Sequence, residues 1–434
     1  MTGRELPDAA VRVQPGRAAG ALAAPGSKSV TNRLLVLAAL AEGDSALRHP
    51  LDSDDTRAMR RLVAALGADV RDGEGAWHVR GTGGRLSAPG APVDVLLSGT
   101  TMRFGAALAT LADGPVELTG GPSLLRRPIA ALTGALRDLG ADVRDRDGHP
   151  PVRTGGGGLR GGPVRVDVGA SSQFASAVLL VAPYAREADV ELQVHGEAAL
   201  SYVELTAEAM RDWGARVGGG DGRWLVARGG YTARDVEVDY DASAAAHLWT
   251  VAAASGGAVT VTNVAERTLQ ADAAFPRLLA AMGCGVQQDG SALTVTGPPR
   301  LRGLGEWDLG AMPDQLPSAA VLAAVADGET VLRNVAVVRG HETDRIAALA
   351  GELAKAGVDA EELPDGLRIR GGVPELAAPV RLDTHDDHRL AMAFAALAAR
   401  VPGIVIEEPW CVRKTYPRFW ADLARLGLRW EAAA

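Results

Sequence analysis

Met59-Arg60-Arg61-Leu62-Val63-Ala64-Ala65-Leu66-Gly67-Ala68 sets Met59, Leu62, Val63 and Leu66 along one stripe of a helix. It then stops on glycine, which accepts the left-handed backbone of a helix C-terminus. The same ending returns as Leu139-Gly140-Ala141, Trp213-Gly214-Ala215, Met282-Gly283-Cys284, Ala356-Gly357-Val358 and Leu426-Gly427-Leu428, roughly 70 residues apart. A second phrase keeps step with the first: a polar turn opening an Ala/Leu-rich helix near Ser27, Thr100, Ser171, Ala242, Asp314 and Asp387. Turns such as Glu42-Gly43-Asp44 and Ala326-Asp327-Gly328 close that helix. The chain therefore reads as an α/β protein in which one helix–strand–helix–strand unit is written six times.

The period is too long for a common solenoid repeat, and none of the six units looks like a polar cap, so a closed arrangement is expected. A chain of 434 residues exceeds the roughly 250 to 300 residues at which a single core stops growing. Two lobes of three units each follow. The first helix of each unit is almost wholly apolar, as in Leu34 to Leu40, Ala177 to Val181 and Ala391 to Leu397, which marks it as buried on all sides. Its N-terminal turn keeps the polar residues. Unpaired N–H groups and the positive end of the dipole make such a terminus a site for phosphate or carboxylate. The plain alternative is that Ser, Thr and Asp there only cap helices.

A formal net charge of −8 argues against a protein whose whole surface serves nucleic acid or anionic lipid. Aromatic residues are only 4%, too few for a row of base-stacking platforms. The strongest apolar run, Leu34 to Ala41, is far short of the roughly 20 residues that cross a bilayer. The N-terminus lacks a signal-peptide layout, and Cys284 and Cys411 form no disulfide framework, so a reducing cytoplasm is expected. Only Lys28, Lys355 and Lys414 among the 45 basic residues are lysines, which draws attention to what surrounds each.

The chemistry concentrates at the unit starts. Pro25-Gly26-Ser27-Lys28-Ser29-Val30-Thr31-Asn32-Arg33 puts Lys28, Ser29 and Arg33 on the first turns of a buried helix, where cations oppose the dipole and require a negative neighbour. Ser27 separates Gly26 from Lys28 and the earlier glycine of a P-loop is missing, so this is no nucleotide loop. Gly99-Thr100-Thr101-Met102-Arg103 and Arg126-Arg127-Pro128 supply backbone donors and guanidinium forks, and Ser171-Ser172-Gln173 neutral donors. Pro313-Asp314, Arg339-Gly340-His341-Glu342-Thr343-Asp344-Arg345, Asp387-His388-Arg389 and Arg413-Lys414-Thr415 mix carboxylates with cations, a combination that suits proton transfer as well as binding. The fourth start, Asp241-Ala242-Ser243, reads as serving the connection between lobes. His385-Asp386-Asp387-His388 has no second ligand group at metal spacing, and Gly155-Gly156-Gly157-Gly158 reads as a flexible hairpin tip.

These motifs, in this order over essentially the whole chain, resemble the 5-enolpyruvylshikimate-3-phosphate synthase family. The phrases that carry it are Gly26-Ser27-Lys28-Ser29, Gly99-Thr100 with Met102-Arg103, Arg127-Pro128-Ile129, Ser171-Ser172-Gln173-Phe174, Pro313-Asp314, Glu342-Thr343-Asp344-Arg345, Asp387-His388-Arg389 and Lys414-Thr415. The resemblance implies a two-lobed inside-out α/β barrel, one lobe from residues 1–24 plus 239–434 and the other from 25–238, with no metal or organic cofactor. It implies phosphoenolpyruvate and shikimate-3-phosphate as partners in the cleft between lobes, no nucleic-acid or membrane partner, and a monomer.

By the same motifs, Lys28, Gly99, Arg127, Gln173, Arg345, Arg389 and Lys414 would hold phosphoenolpyruvate. Lys28, Ser29, Arg33, Ser171, Ser172, Asp314 and His341, with Ser201 or Tyr202, would hold shikimate-3-phosphate. Asp314 would act as base, Glu342 would exchange the methylene proton, and Lys28 would be the acid or electrostatic partner of the leaving phosphate. Some positions depart from the pattern: Leu97 and Ser98 stand where Asn-Ala is usual, Phe104 where Pro is, Val337 where Asn is, His341 where Lys is and Asp386 where Asn is.

Those departures leave room for a paralogue acting on another cyclic alcohol or phosphate. An enolpyruvyl transferase of cell-wall synthesis fits less well, because Gly121-Pro122-Ser123-Leu124-Leu125-Arg126 lacks its reactive Cys and Ser29 stands where it has Asn. A silent anion binder would gain nothing from carboxylates facing an anion.

Overall fold

The computed structural model describes residues 7–196, 200–265 and 267–433. Every repeat glycine takes a positive φ, from 75° at Gly357 to 105° at Gly67, so each second helix stops where its glycine lets the backbone turn left-handed. Those helices are amphipathic. Asp54–Ala65 buries Met59, Leu62 and Val63 and leaves Arg57 and Arg61 in solvent. Truncating such a buried leucine, Leu62→Ala, costs about 2 to 5 kcal/mol.

The first helices are different. Gly99–Ala109 and Leu316–Ala324 are buried along their whole length, and in Ala242–Ser255 only Ser243 escapes burial. With Lys28–Leu40, Gln173–Val181 and His388–Arg400 they form the two cores, each made of three helices surrounded by sheets and outer helices. Small alanine side chains suit helices enclosed in this way, since none needs a polar face.

Among the described residues six four-stranded sheets share one strand order. In the third unit Gly162–Asp167 lies parallel to Val190–His195, with Val164 opposite Leu192. Arg223–Val226 follows antiparallel, and Val217–Gly220 forms the edge. The parallel pair is joined through the buried helix Gln173–Val181, the crossover that parallel strands require.

Two exchanges close the repeats. Val236–Glu237 returns to lie parallel to Asp44–Arg48 and completes the first sheet of its unit. Near the N-terminus Val11–Val13 inserts between Ile404–Ile406 and Trp430–Ala432, and Ala19–Leu22 pairs with Ala258–Val261. The chain accordingly divides into Met1–Pro25 with Tyr240–Ala434, and Gly26–Asp239.

One local expectation is corrected. Gly155 to Gly158 do not cap a hairpin; they link His149–Thr154 to a strand of the next sheet. Gly157 and Gly158 donate to the carbonyls of Ala112 (3.0 Å) and Thr110 (2.7 Å). A Cβ at Gly156 would stand 2.6 Å from the Ala112 and Gly114 oxygens. Close backbone approach is the use of these glycines, and they are pinned by it. Among the described residues no helix is long and apolar enough to cross a membrane.

Candidate active site

In the unit Gly26–Asp239 most of the expected residues fall at the starts of the three buried helices, while Arg127 lies between Pro122–Leu125 and Ala130–Asp138 and Ser201 opens the outer helix Ser201–Asp212. Ser27 caps Lys28–Leu40 by accepting the Val30 N–H at 3.4 Å, and Lys28 stands 3.6 Å from Asp55, which answers its charge. Ser98 caps Gly99–Ala109 through the Thr101 N–H at 3.3 Å. A Cβ built on Gly99 would lie 3.0 Å from Nη1 of Arg127 and 3.4 Å from Nη1 of Arg103. The missing side chain thus lets two guanidinium groups close on one helix terminus. Arg103 also donates to Gln173 Oε1 at 2.9 Å, and Ser171 Oγ accepts the Gln173 N–H at 3.2 Å. Gly99, Arg103, Arg127 and Gln173 therefore form one group.

Ser29 and Arg33 belong to a second. Arg33 is buried, and it donates to Thr206 Oγ1 (2.7 Å), the Ser29 carbonyl (2.9 Å), the Tyr202 carbonyl (3.0 Å) and Ser176 Oγ (3.3 Å). The rings of Phe104 and Tyr202 lie 5.4 and 5.7 Å from its guanidinium carbon. Burial lowers its pKa to about 10, which still leaves it cationic at neutral pH. Most of its donors are directed inward, so it ties Ser29 to Tyr202. Ser172 is half-buried, and Ser201 Oγ is buried without a hydrogen-bond partner among the described residues.

In the unit of Met1–Pro25 and Tyr240–Ala434, Arg345 is the hub. It is 1% exposed and donates to Asp387 from Nε (2.7 Å) and Nη2 (3.3 Å), to Asp314 from Nη1 (2.8 Å) and to Glu342 from Nη2 (3.0 Å). His341 Nδ1 lies 3.2 Å from the same guanidinium and 3.5 Å from Asp314. Arg389 reaches the other Asp314 oxygen at 2.8 Å, and Lys414 reaches Glu342 at 2.5 Å. Asp314, His341, Glu342, Arg345, Arg389 and Lys414 are thus brought together. Asp387 caps His388–Arg400 through the Arg389 N–H at 2.9 Å.

The electrostatics follow from this mixture. Burial would push the Asp314 carboxyl up, but Arg389, His341 and Arg345 outweigh it and hold it well below the usual carboxylate range. Burial alone would weaken the Arg345 charge, and Asp387, Glu342 and Asp314 more than restore it. Asp272 goes the other way: burial raises it despite Arg389. An incoming carboxylate or phosphate meets cations whose N–H groups are already aimed at oxygens.

Sequence reasoning missed several members. Asp272 accepts from Gln315 Nε2 at 2.7 Å and from the Ser243 hydroxyl, and Ser243 lies 3.4 Å from Arg389. The fourth unit start therefore contributes Ser243 to this cluster. Nothing local marks Asp272, which sits in the short turn Ala271–Ala274, whereas Asp55 could have been found as the anion that Lys28 required. Among the described residues no group of His, Cys, Asp and Glu is arranged to hold a metal ion.

Comparison with known proteins agrees with this geometry over nearly the whole chain. Residues 13–423 match the EPSP synthase (3-phosphoshikimate 1-carboxyvinyltransferase) family. A 3-phosphoshikimate 1-carboxyvinyltransferase of Methanoculleus marisnigri is 40% identical over 425 residues, covering 96% of this chain and 99% of that protein. One from Syntrophobacter fumaroxidans is 40% identical over 410 residues, covering 93% and 96%. The solved EPSP synthase of Acinetobacter baumannii superposes with a TM-score of 0.82 at 26% identity, covering 98% of this chain and all of the other. With its two three-repeat units and its cation and carboxylate cluster, the chain belongs to the EPSP synthase family and has that family's two-domain inside-out fold.

Proposed function

We propose that this protein transfers the carboxyvinyl group of phosphoenolpyruvate to the 5-hydroxyl of shikimate-3-phosphate and releases phosphate, in the shikimate route to chorismate and the aromatic amino acids. The observation that carries the reading is the pairing of Asp314 and Glu342 with Arg345, Arg389 and Lys414. Carboxylates paired with clustered cations support a site that both binds anions and moves protons.

The reaction first adds the hydroxyl oxygen to C2 of phosphoenolpyruvate while C3 takes a proton. Phosphate then leaves C2 as C3 gives a proton back, so one hydroxyl and one phosphoenolpyruvate become one carboxyvinyl ether and one phosphate. Asp314 is the base toward the hydroxyl, Glu342 exchanges the C3 proton, and Lys28 supports the leaving phosphate. While Arg345 and Arg389 pair with it, Asp314 is a poor base. A substrate anion that takes over those guanidinium donors removes the charges that depress its proton affinity, so the base is activated when substrate arrives. Lys414 pairs with Glu342 at 2.5 Å.

The phosphoenolpyruvate set comprises Lys28, Gly99, Arg127, Gln173, Arg345, Arg389 and Lys414. The acceptor set comprises Lys28, Ser29, Arg33, Ser171, Ser172, Ser201, Asp314 and His341, with Arg33 acting through Ser29 and Tyr202. We place the enzyme in the cytoplasm as a monomer, which sizing by light scattering would check. The test of function is phosphate release from the two substrates together. Asp314→Ala and Glu342→Gln should each slow it by about 10²- to 10⁴-fold. No phosphate from the unaltered protein at any substrate level would sink the proposal. His341, in contact with Asp314, and Val337, packed on the core, favour one second reading, a different cyclic alcohol as acceptor. The same assay with a panel of alcohols distinguishes it.

A further inference from the structure

The turn before the helix His388–Arg400 holds two consecutive residues other than glycine in the left-handed region, His385 at φ 51° and Asp386 at φ 54°. Such a pair persists only where its surroundings over-determine it. The restraint lies outside the site already described. Glu352, on the helix Arg345–Lys355, has a side chain only 4% exposed. Its Oε2 accepts the Asp383 N–H and its Oε1 faces His385 Nε2, both at 3.0 Å, while Lys355 donates to both oxygens at 2.8 Å. Within the turn, the His385 N–H reaches Asp383 Oδ1 at 2.7 Å and the Asp387 N–H reaches the Thr384 carbonyl at 2.8 Å.

The turn ends at Asp387, which binds Arg345 through two hydrogen bonds and caps the helix that begins His388-Arg389. Glu352 and Arg345 lie two helical turns apart on one helix, hence on one face. Glu352 holds the start of the turn and Arg345 meets its end. If the first fastening is lost, the strained pair is free to relax, and Asp387 moves with both arginines that depend on it.

We propose that Glu352 is a positioning residue for the anion site: through His385 and Asp383 it fixes the turn that aligns Asp387 with Arg345 and Arg389. The identity of the anion, phosphoenolpyruvate, rests on the function proposed above, but the positioning does not. The proposal also accounts for Lys355, the third lysine, as the countercharge of a buried carboxylate.

The experiment uses the full chain with Glu352→Ala, Glu352→Gln and His385→Asn, read by amide hydrogen exchange over residues 383–389 and by KM for each substrate. Glu352→Ala should speed exchange at Asp387 and Arg389 and raise KM for phosphoenolpyruvate by about tenfold or more, leaving the acceptor KM within about twofold. Glu352→Gln keeps an oxygen for the Asp383 N–H and should stay within about threefold of the unaltered protein. Unchanged exchange at those amides, or both KM values rising in parallel, would overturn the positioning role. If the unaltered protein turns over neither substrate, the function proposed above fails, and exchange alone decides this inference. If Glu352→Ala does not fold, His385→Asn serves instead: asparagine tolerates the left-handed backbone but cannot reach Glu352 as the imidazole does. Faster exchange at Asp387 in that variant supports the proposal, and unchanged exchange overturns it.

Discussion

Replacing Arg345 by methionine removes a cation shared by Asp387, Asp314 and Glu342. The three carboxylates are affected unequally. Asp314 keeps Arg389 at 2.8 Å and Glu342 keeps Lys414 at 2.5 Å, and both side chains are partly exposed. Asp387 is fully buried and keeps the Arg389 backbone N–H, the dipole of its own helix and the His388 ring at 3.8 Å. The loss therefore concentrates on one buried carboxylate deprived of its guanidinium partner, for which about 3 to 5 kcal/mol is expected. In a unit of about 220 residues each kcal/mol moves the melting temperature by about 2 to 4 °C, so the variant should melt roughly 6 to 20 °C lower. Calorimetry on Arg345→Met, Asp387→Asn and the double variant completes a cycle. The double variant should recover about 1 to 3 kcal/mol relative to the sum of the single losses. A loss below about 1 kcal/mol in Arg345→Met, or additivity in the cycle, would refute the claim that Arg345 is held by Asp387 as a buried pair.

Gly99→Ala should raise KM for phosphoenolpyruvate by about tenfold with kcat nearly unchanged, because Arg127 must yield to a Cβ 3.0 Å from its Nη1; steady-state kinetics with an unaltered KM would count against that geometry. His247 is fully buried, 3.1 Å from Ser318 Oγ, and burial together with Arg389 and Arg345 holds its pKa well below the ordinary 6.5. The unfolded chain therefore binds a proton that the native state refuses, and stability falls below pH 6.5 by about 1.4 kcal/mol per unit from this residue. His247→Asn should flatten the acid limb of a urea-midpoint titration by that amount, and an unchanged slope would contradict it. Burial pushes the Cys284 thiol up to about 12 and Cys411 higher still. A thiol reagent at neutral pH should label neither in the native protein and both in denaturant, whereas rapid native labelling would contradict the burial.

The repeat was legible because it is written in local terms: a glycine at each helix end and an apolar helix after each polar turn. Both sets of landmarks fall where the spacing puts them, from Gly67 to Gly427 and from Lys28 to His388. The short strands Val11–Val13 and Ala19–Leu22 carry no such signal. Their partners lie hundreds of residues away, and three or four residues cannot report which sheet edge they complete.

The candidate site divides in the same way. Helix starts disclosed Lys28, Gly99, Gln173, Asp314 and Arg389, since dipole and sequence meet there. Which way a long side chain turns is a matter of tertiary contact. Arg33 has the charge of a ligand residue but lies among Thr206, Ser176 and Tyr202, and Gly155 to Gly158 have the composition of a turn but serve close packing. Asp272 and Glu352 were not legible because a buried acid differs from a surface one only in its neighbours.

Incubation of the purified protein with phosphoenolpyruvate and shikimate-3-phosphate, followed by NMR of the acceptor with simultaneous assay of phosphate, tests the central claim most directly. The account expects a carboxyvinyl ether at the 5-hydroxyl and an equal amount of phosphate, both abolished when either substrate is omitted. Phosphate without the ether, or an unchanged acceptor, would contradict it.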